Sequence, residues 1–276
     1  VTTDAAVTPW QIEDGSGNPV EATGDEQVEL FRSVKAGNGR VEIALTDGGT
    51  LSAAQVNDLS VAGTANCYVV SAPGTYVFNA RVRGNGAGEG VGFEPAIEMA
   101  DGMTADWLWT DSEGLVSGVA LDTTSGDIFL TVGEGRGNAL VALMQDGKVV
   151  WSWHVWVTDA PQTMTYGNGT VFMDRNLGAA GTTAGGTDAY GMYYQWGRKD
   201  PFYGGEKTET SANAFLEAKN GTVVNPAYPA LDWAFSKSAT TTDGAAANPM
   251  TFYNDKVGTG YNWLASPNAT LWGEAK

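Results

Sequence analysis

Val149-Val150-Trp151-Ser152-Trp153-His154-Val155-Trp156-Val157 reads as a single β-strand, and the fold follows from it. Side chains alternate across a strand, so Trp151, Trp153, Val155 and Val157 share one face as a bulky apolar ridge. Ser152, His154 and Trp156 share the other face, which is expected to be partly wet or covered by a neighbouring domain. Each buried aromatic contributes about 2–3 kcal/mol, so the ridge should anchor a core. A sugar-stacking platform would need the same rings exposed in a row, and core packing is the favoured reading.

Working outward, Asp146-Gly147 is the kind of dipeptide that closes a tight hairpin, and Ala139 to Met144 precedes it as a partner strand. Further strands are expected at Cys67 to Ser71, Thr75 to Arg83, Ala105 to Thr110, Leu115 to Leu121 and Asp127 to Val132, with Pro73-Gly74 as a turn. Short strands at roughly ten-residue spacing predict a β-sandwich, immunoglobulin-like in architecture, over residues 57–160. Residues 1–56 hold strand candidates Val28 to Val34 and Arg40 to Leu45 around Ala36-Gly37-Asn38-Gly39, with a loop at Asp14-Gly15-Ser16-Gly17-Asn18-Pro19. They read as an N-terminal β segment or partial sandwich. Residues 161–276 change character to a loop-rich α+β region. Thr170 to Arg175 and Tyr190 to Trp196 are strand-like there, Gly178 to Gly186 is a flexible run, and Ser211 to Lys219 is a short helix capped by Ser211 and stopped by Asn220-Gly221. The rest, through Asp243-Gly244 and Asn248-Pro249, reads mostly as loop.

Composition narrows the function. The 276 residues are 42% hydrophobic, 11% aromatic and only 17% charged, with 37 glycines, which fits strands joined by tight turns and excludes disorder. A net charge of -17 repels phosphate backbones, so nucleic acid is not an expected partner. No calcium-loop pattern of the D-x-[DN]-x-[DN]-G type occurs. The single cysteine, Cys67, excludes an intrachain disulfide within these residues. The chain starts at Val1, and nothing in it resembles a signal peptide or a membrane span, so a processed, exported chain is expected.

No catalytic set, metal site or cofactor is expected. A serine triad would have to use His154, which lies mid-strand among tryptophans with no nucleophile elbow nearby, and a structural histidine is the favoured reading. A Cys–His pair requires Cys67 and His154 to meet in space, which their separation along the chain does not settle. Zinc sites draw on more histidines and cysteines than one of each. The acidic residues number 32, too many for a glycosidase pair to stand out. The glycine-rich runs Gly84 to Gly90 and Gly133 to Gly137 open no helix and end in no Lys-Ser/Thr, so both read as loops between strands. Candidate ligand-binding residues are Trp196, Trp263 and Trp272 beside polar Arg198, Asp200 and Asn262, since aromatic faces stack on sugars while polar neighbours read hydroxyls. The competing reading, which is preferred, has these tryptophans filling a small core.

Several motifs carry a family resemblance. Ala65-Asn66-Cys67-Tyr68-Val69-Val70-Ser71-Ala72-Pro73-Gly74-Thr75-Tyr76 resembles the start of a domain of fimbrillin-like surface proteins and lipoproteins of the Bacteroidota. Trp107-Leu108-Trp109, Gly137-Asn138-Ala139 and the Trp151 to Thr158 stretch resemble later parts of that pattern, in order. Met173-Asp174-Arg175-Asn176-Leu177-Gly178-Ala179 and Tyr194 to Phe202 resemble the opening of the Fibrobacter succinogenes major paralogous domain, which is similar to C-type-lectin-like folds. The likeness covers about residues 57 to 205. It implies a mainly β chain, a fimbrillin-like sandwich followed by a lectin-like region over 161–276, exported to the extracellular or outer-membrane surface. It further implies a non-catalytic structural or adhesive role as a pilus or appendage subunit, with other surface or pilus subunits as partners. The alternative is a glycan-binding outer-membrane lipoprotein that meets host or dietary glycans and touches membrane only through a lipid anchor removed from this chain. Relatives usually continue past Leu271-Trp272-Gly273 into a segment with an Asp-Pro-Cys-Pro core, so the lectin-like region is expected to be truncated and Cys67 to lack a partner.

Overall fold

Period-two runs separated by turn residues become two sheets. The computed structural model describes residues 56–84, 96–203 and 222–266, together with the backbone of two short strands, β1 (Glu42–Ala44) and β2 (Thr50–Ser52). The expected strand Val28 to Val34, the loops at 14–19 and 36–39, most of the first glycine run, the helix at 211–219 and Trp272 lie outside the described residues. Among the described residues the protein is mainly β.

Next in the chain come β3 (Val56–Asp58), β4 (Cys67–Val70), β5 (Gly74–Asn79), β6 (Met103–Thr110), β7 (Val116–Asp122), β8 (Asp127–Val132), β9 (Gly137–Gln145) and β10 (Lys148–Val157). One sheet has the order β3-β5-β8-β7. The other has β6-β9-β10-β4, extended at the β6 edge by β15 (Val223–Val224). The β9–β10 hairpin forms as its sequence demands: Asp146 and Gly147 have φ of 51° and 73°, the pair of positive values that a two-residue primed turn requires. Within these two sheets two pairings are parallel, β3 with β5 and β4 with β10.

The two sheets share one apolar cluster. Phe78 of β5 and Trp153 of β10 approach to 5.2 Å between ring centroids, with Ile128, Leu130 and Val132 from one sheet and Val141, Leu143, Val155 and Val157 from the other around them. Eight consecutive residues of β9 are buried, because this central strand is covered on both faces. Its second cover comes from the C-terminal third: Phe202, Trp233 and Met250 pack on Leu108, Trp109, Leu140, Ala142 and Met144. Trp107 and Trp109 would share a face in a regular strand, yet Trp107 packs toward the inter-sheet core and Trp109 away from it. A bulge between them makes the difference, shifting the register against β9.

The C-terminal third is built from short pieces: β11 (Thr163–Thr165) with β12 (Val171–Met173), β13 (Tyr193–Tyr194) with β14 (Pro201–Phe202), and β16 (Ala234–Ser236) with β17 (Thr251–Tyr253). Its one described α-helix, α1 (Thr242–Ala247), falls where the sequence reads as loop. Thr241 Oγ1 accepts from the Gly244 N–H at 3.0 Å, and this cap offsets the low helix propensity of Gly244. No described helix is long and apolar enough to cross a membrane.

Candidate functional site

Strand β10 turns Ser152, His154 and Trp156 away from the inter-sheet core, and all three are buried under the C-terminal third. Their polar atoms meet partners from that layer. Trp156 Nε1–H donates to Ala179 O at 2.9 Å, and Ser152 Oγ donates to Asp200 Oδ1 at 2.9 Å. Asp200 in turn pairs with Lys199 and, at 3.1 Å, with Arg198. The Arg198 guanidinium also donates to Gln195 Oε1, Thr251 O and Asn248 O at 2.7–2.9 Å and lies over the Phe202 ring at 4.8 Å. Burial lowers the pKa of both Arg198 and Lys199, and the Asp200 carboxylate opposes that shift.

His154 stands at the centre of a second polar array. Asn138 on β9 donates through Nδ2 to Asp111 Oδ2 at 2.7 Å and to Gly178 O at 2.9 Å, which turns its Oδ1 to His154 Nε2 at 2.8 Å. An amide oxygen only accepts, so Nε2 carries the imidazole proton and Nδ1 is bare. Facing Nδ1 are Cys67 Sγ at 3.2 Å and Tyr194 Oη at 3.3 Å. Desolvation holds His154 down at about 3 and pushes the Cys67 thiol up to about 12, so both are neutral at pH 7. Burial raises Tyr194 as well, with the Cys67 charge adding to the effect.

Beside this array lies a cavity of about 360 Å³ lined by Asp111, Asn138, Gly178, Tyr190, Met192 and Tyr203, among others. Desolvation pushes Asp111 up to about 6 against the pull of Asn138, and its buried Oδ1 has no hydrogen-bond partner. Gly178 belongs at this point of the wall: its φ is 82°, and a Cβ there would run into Met192.

The residues proposed from sequence as a ligand cluster take different places. Arg198 and Asp200 are buried together in the ion pair, and Trp263 is buried with its Nε1–H on Trp196 O at 2.8 Å. Trp196 is 78% exposed, and Asn262 is half-buried with its Oδ1 accepting from Leu264 N–H. The sequence named Cys67 and His154 as a pair that would have to meet in space, and they do. Asp111 escaped notice, and Asn138 and Tyr194 entered only as members of longer motifs, since single polar residues on or beside strands carry no pattern of their own. Among the described residues no three His, Cys, Asp or Glu side chains are grouped to hold a metal ion. No family model matches the chain, and no curated protein and no solved structure matches it.

Proposed function

We propose that this protein is a non-catalytic cell-surface structural or adhesive protein, a subunit of a pilus or related appendage, displayed at the outer-membrane surface after export. In this reading the two sheets over residues 57–160 are a fimbrillin-like sandwich, and residues 161–276 are a lectin-like region laid on its outer face. The observation that carries the reading is the β11–β12 hairpin. All its strand residues are exposed, and Met164, Tyr166, Val171 and Phe172 are each more than half exposed. A two-stranded ribbon with bare apolar side chains is marginal in water, and such patches mark contacts with other proteins. Its base is fastened, with Asp174 N–H on Gln162 O and the Arg175 guanidinium on Thr158 Oγ1 and Asp159. A neighbouring subunit is the partner that such an element fits.

Sedimentation equilibrium tests this directly. Wild type is expected to associate in the micromolar range, and Val171→Ser/Phe172→Ser to remain monomeric with its fold intact. Wild type that stays monomeric to about 1 mM would remove the assembly reading. A glycan-binding role is the second reading, supported by the cavity beside Asp111, whose unpartnered oxygen suits a sugar hydroxyl and whose Tyr190 and Tyr203 suit a sugar face. A glycan array that is blank for wild type, or hits that survive in Asp111→Asn with Tyr190→Ala, would sink that alternative.

A further inference from the structure

The Cys67–His154–Asn138 array has no role in adhesion as described above. Cys67 is the chain's single cysteine and opens β4, an edge strand of its sheet. The residue is exposed, while its sulfur is turned to His154 Nδ1 at 3.2 Å. Asn138 holds the imidazole in the Nε2–H form and leaves the Nδ1 lone pair facing Cys67 and Tyr194. A nucleophile, a base within reach and a third group that orients the base are the elements of an activated nucleophile. The other titratable groups that face this array are Tyr194 from β13, which shares Nδ1, and Asp111, which follows β6 and reaches His154 only through Asn138.

We infer that Cys67 is a base-assisted thiol that exchanges with small, uncharged disulfides and takes up their thiol half as a mixed disulfide. The sulfur attacks one sulfur of the disulfide, and its proton passes to His154 Nδ1. The new S–S bond forms as the old one breaks, and the departing sulfur leaves as a thiol with the proton from Nδ1. One thiol and one disulfide give one mixed disulfide and one thiol, with no net oxidation. Exchange at sulfur asks for a proton acceptor that then becomes a donor, and a tautomerically fixed imidazole is both. Anionic disulfides are disfavoured because a net charge of -17 repels anions.

The test is the rate of reaction with 4,4′-dithiodipyridine between pH 6 and 9, run beside glutathione. A base-assisted Cys67 gives a rate that is flat in pH, because the thiol passes its proton within a pair that is neutral across this range. A thiol held at about 12 and acting alone would present about a thousandfold less thiolate than an ordinary thiol at pH 7, and its rate would rise tenfold per pH unit; that profile overturns the inference. His154→Gln is expected to convert the flat profile to the rising one. Should that variant lose its near-ultraviolet dichroism, Asn138→Ala supplies the second arm, with a loss of at least about fivefold at pH 7. A flat, unslowed rate in a folded variant of either residue also overturns the assignment. With one cysteine in the chain, the adduct mass identifies the site.

Discussion

From Ser152 to Val157 the two faces of β10 are both buried and chemically opposite. Trp153, Val155 and Val157 meet only apolar neighbours between the sheets, whereas Ser152, His154 and Trp156 each spend a polar atom on a named partner in the C-terminal layer or on β9 beside it. The difference follows from what each face must hold. Two regular sheets satisfy their own backbone groups and need only area and shape to pack. A layer of short strands and loops has few ladders of its own, so directional bonds from the sheet beneath must fix its position.

The contrast is broken most severely from the inner side. Trp153→Ala should cost about 4 kcal/mol, read from urea unfolding, because the ring is fully buried against Phe78. Trp153→Phe should cost far less, since the buried indole N–H has no partner and its removal relieves an unsatisfied donor. If the two substitutions cost the same, ring volume is not what holds the sheets together. On the outer side, Asp200→Ala strands two buried cations and should cost about 3 kcal/mol. Its loss should be local: hydrogen exchange should quicken in residues 195–203 and 241–253 before it does in β9, and a uniform change across the chain would contradict a separate seam.

Acid titration sharpens the comparison further. His154 has its ordinary pKa of 6.5 when unfolded and about 3 when folded, so acidification through that range favours the unfolded chain. Asp111 runs the other way: at about 6 folded and 3.8 unfolded, it binds its proton first in the folded protein and adds stability as pH falls. Between pH 6 and 3.8 the two oppose each other. Asp111→Asn should therefore lose stability on acidification more steeply than wild type in that window, by up to about 1.4 kcal/mol per pH unit, with parallel curves above pH 6.5. Thermal melts across pH 4–7 would show it, and parallel curves throughout would place Asp111 in wetter surroundings. The smallest effect belongs to Trp196→Ala, within about 0.5 kcal/mol, because most of that residue already faces water.

Most of the inner face was legible in the sequence. Alternation placed β6 to β10 within a few residues, and Asp146-Gly147 marked the central hairpin, because both signals are local. The parallel pairs were not legible, since parallel partners are not joined by a tight turn that could be read. The bulge that sends Trp107 and Trp109 to opposite faces is equally silent, as it depends on the partner strand. In the C-terminal third, aromatic and polar neighbours in sequence suggested one cluster, but Trp196 lies at the surface while Trp263, Arg198 and Asp200 are buried. Composition alone does not separate a buried ion pair from an exposed recognition site. The His154 array draws on β4, β9, β10, β13 and the turn after β6, so only folding assembles it.

The parallel pairing of β4 and β10 has a mechanical consequence. The chain enters this ladder at Cys67 and leaves its far end at Val157, with four residue pairs, Cys67–His154 through Val70–Val157, side by side. Tension applied between residues 66 and 158 pulls the two strands along their own axes in opposite directions. Every rung is then loaded at once, in shear, where an antiparallel hairpin pulled from its open end would unzip rung by rung. A module with this connectivity carries load along its length through one short ladder, and the thiol and its imidazole sit on the first rung.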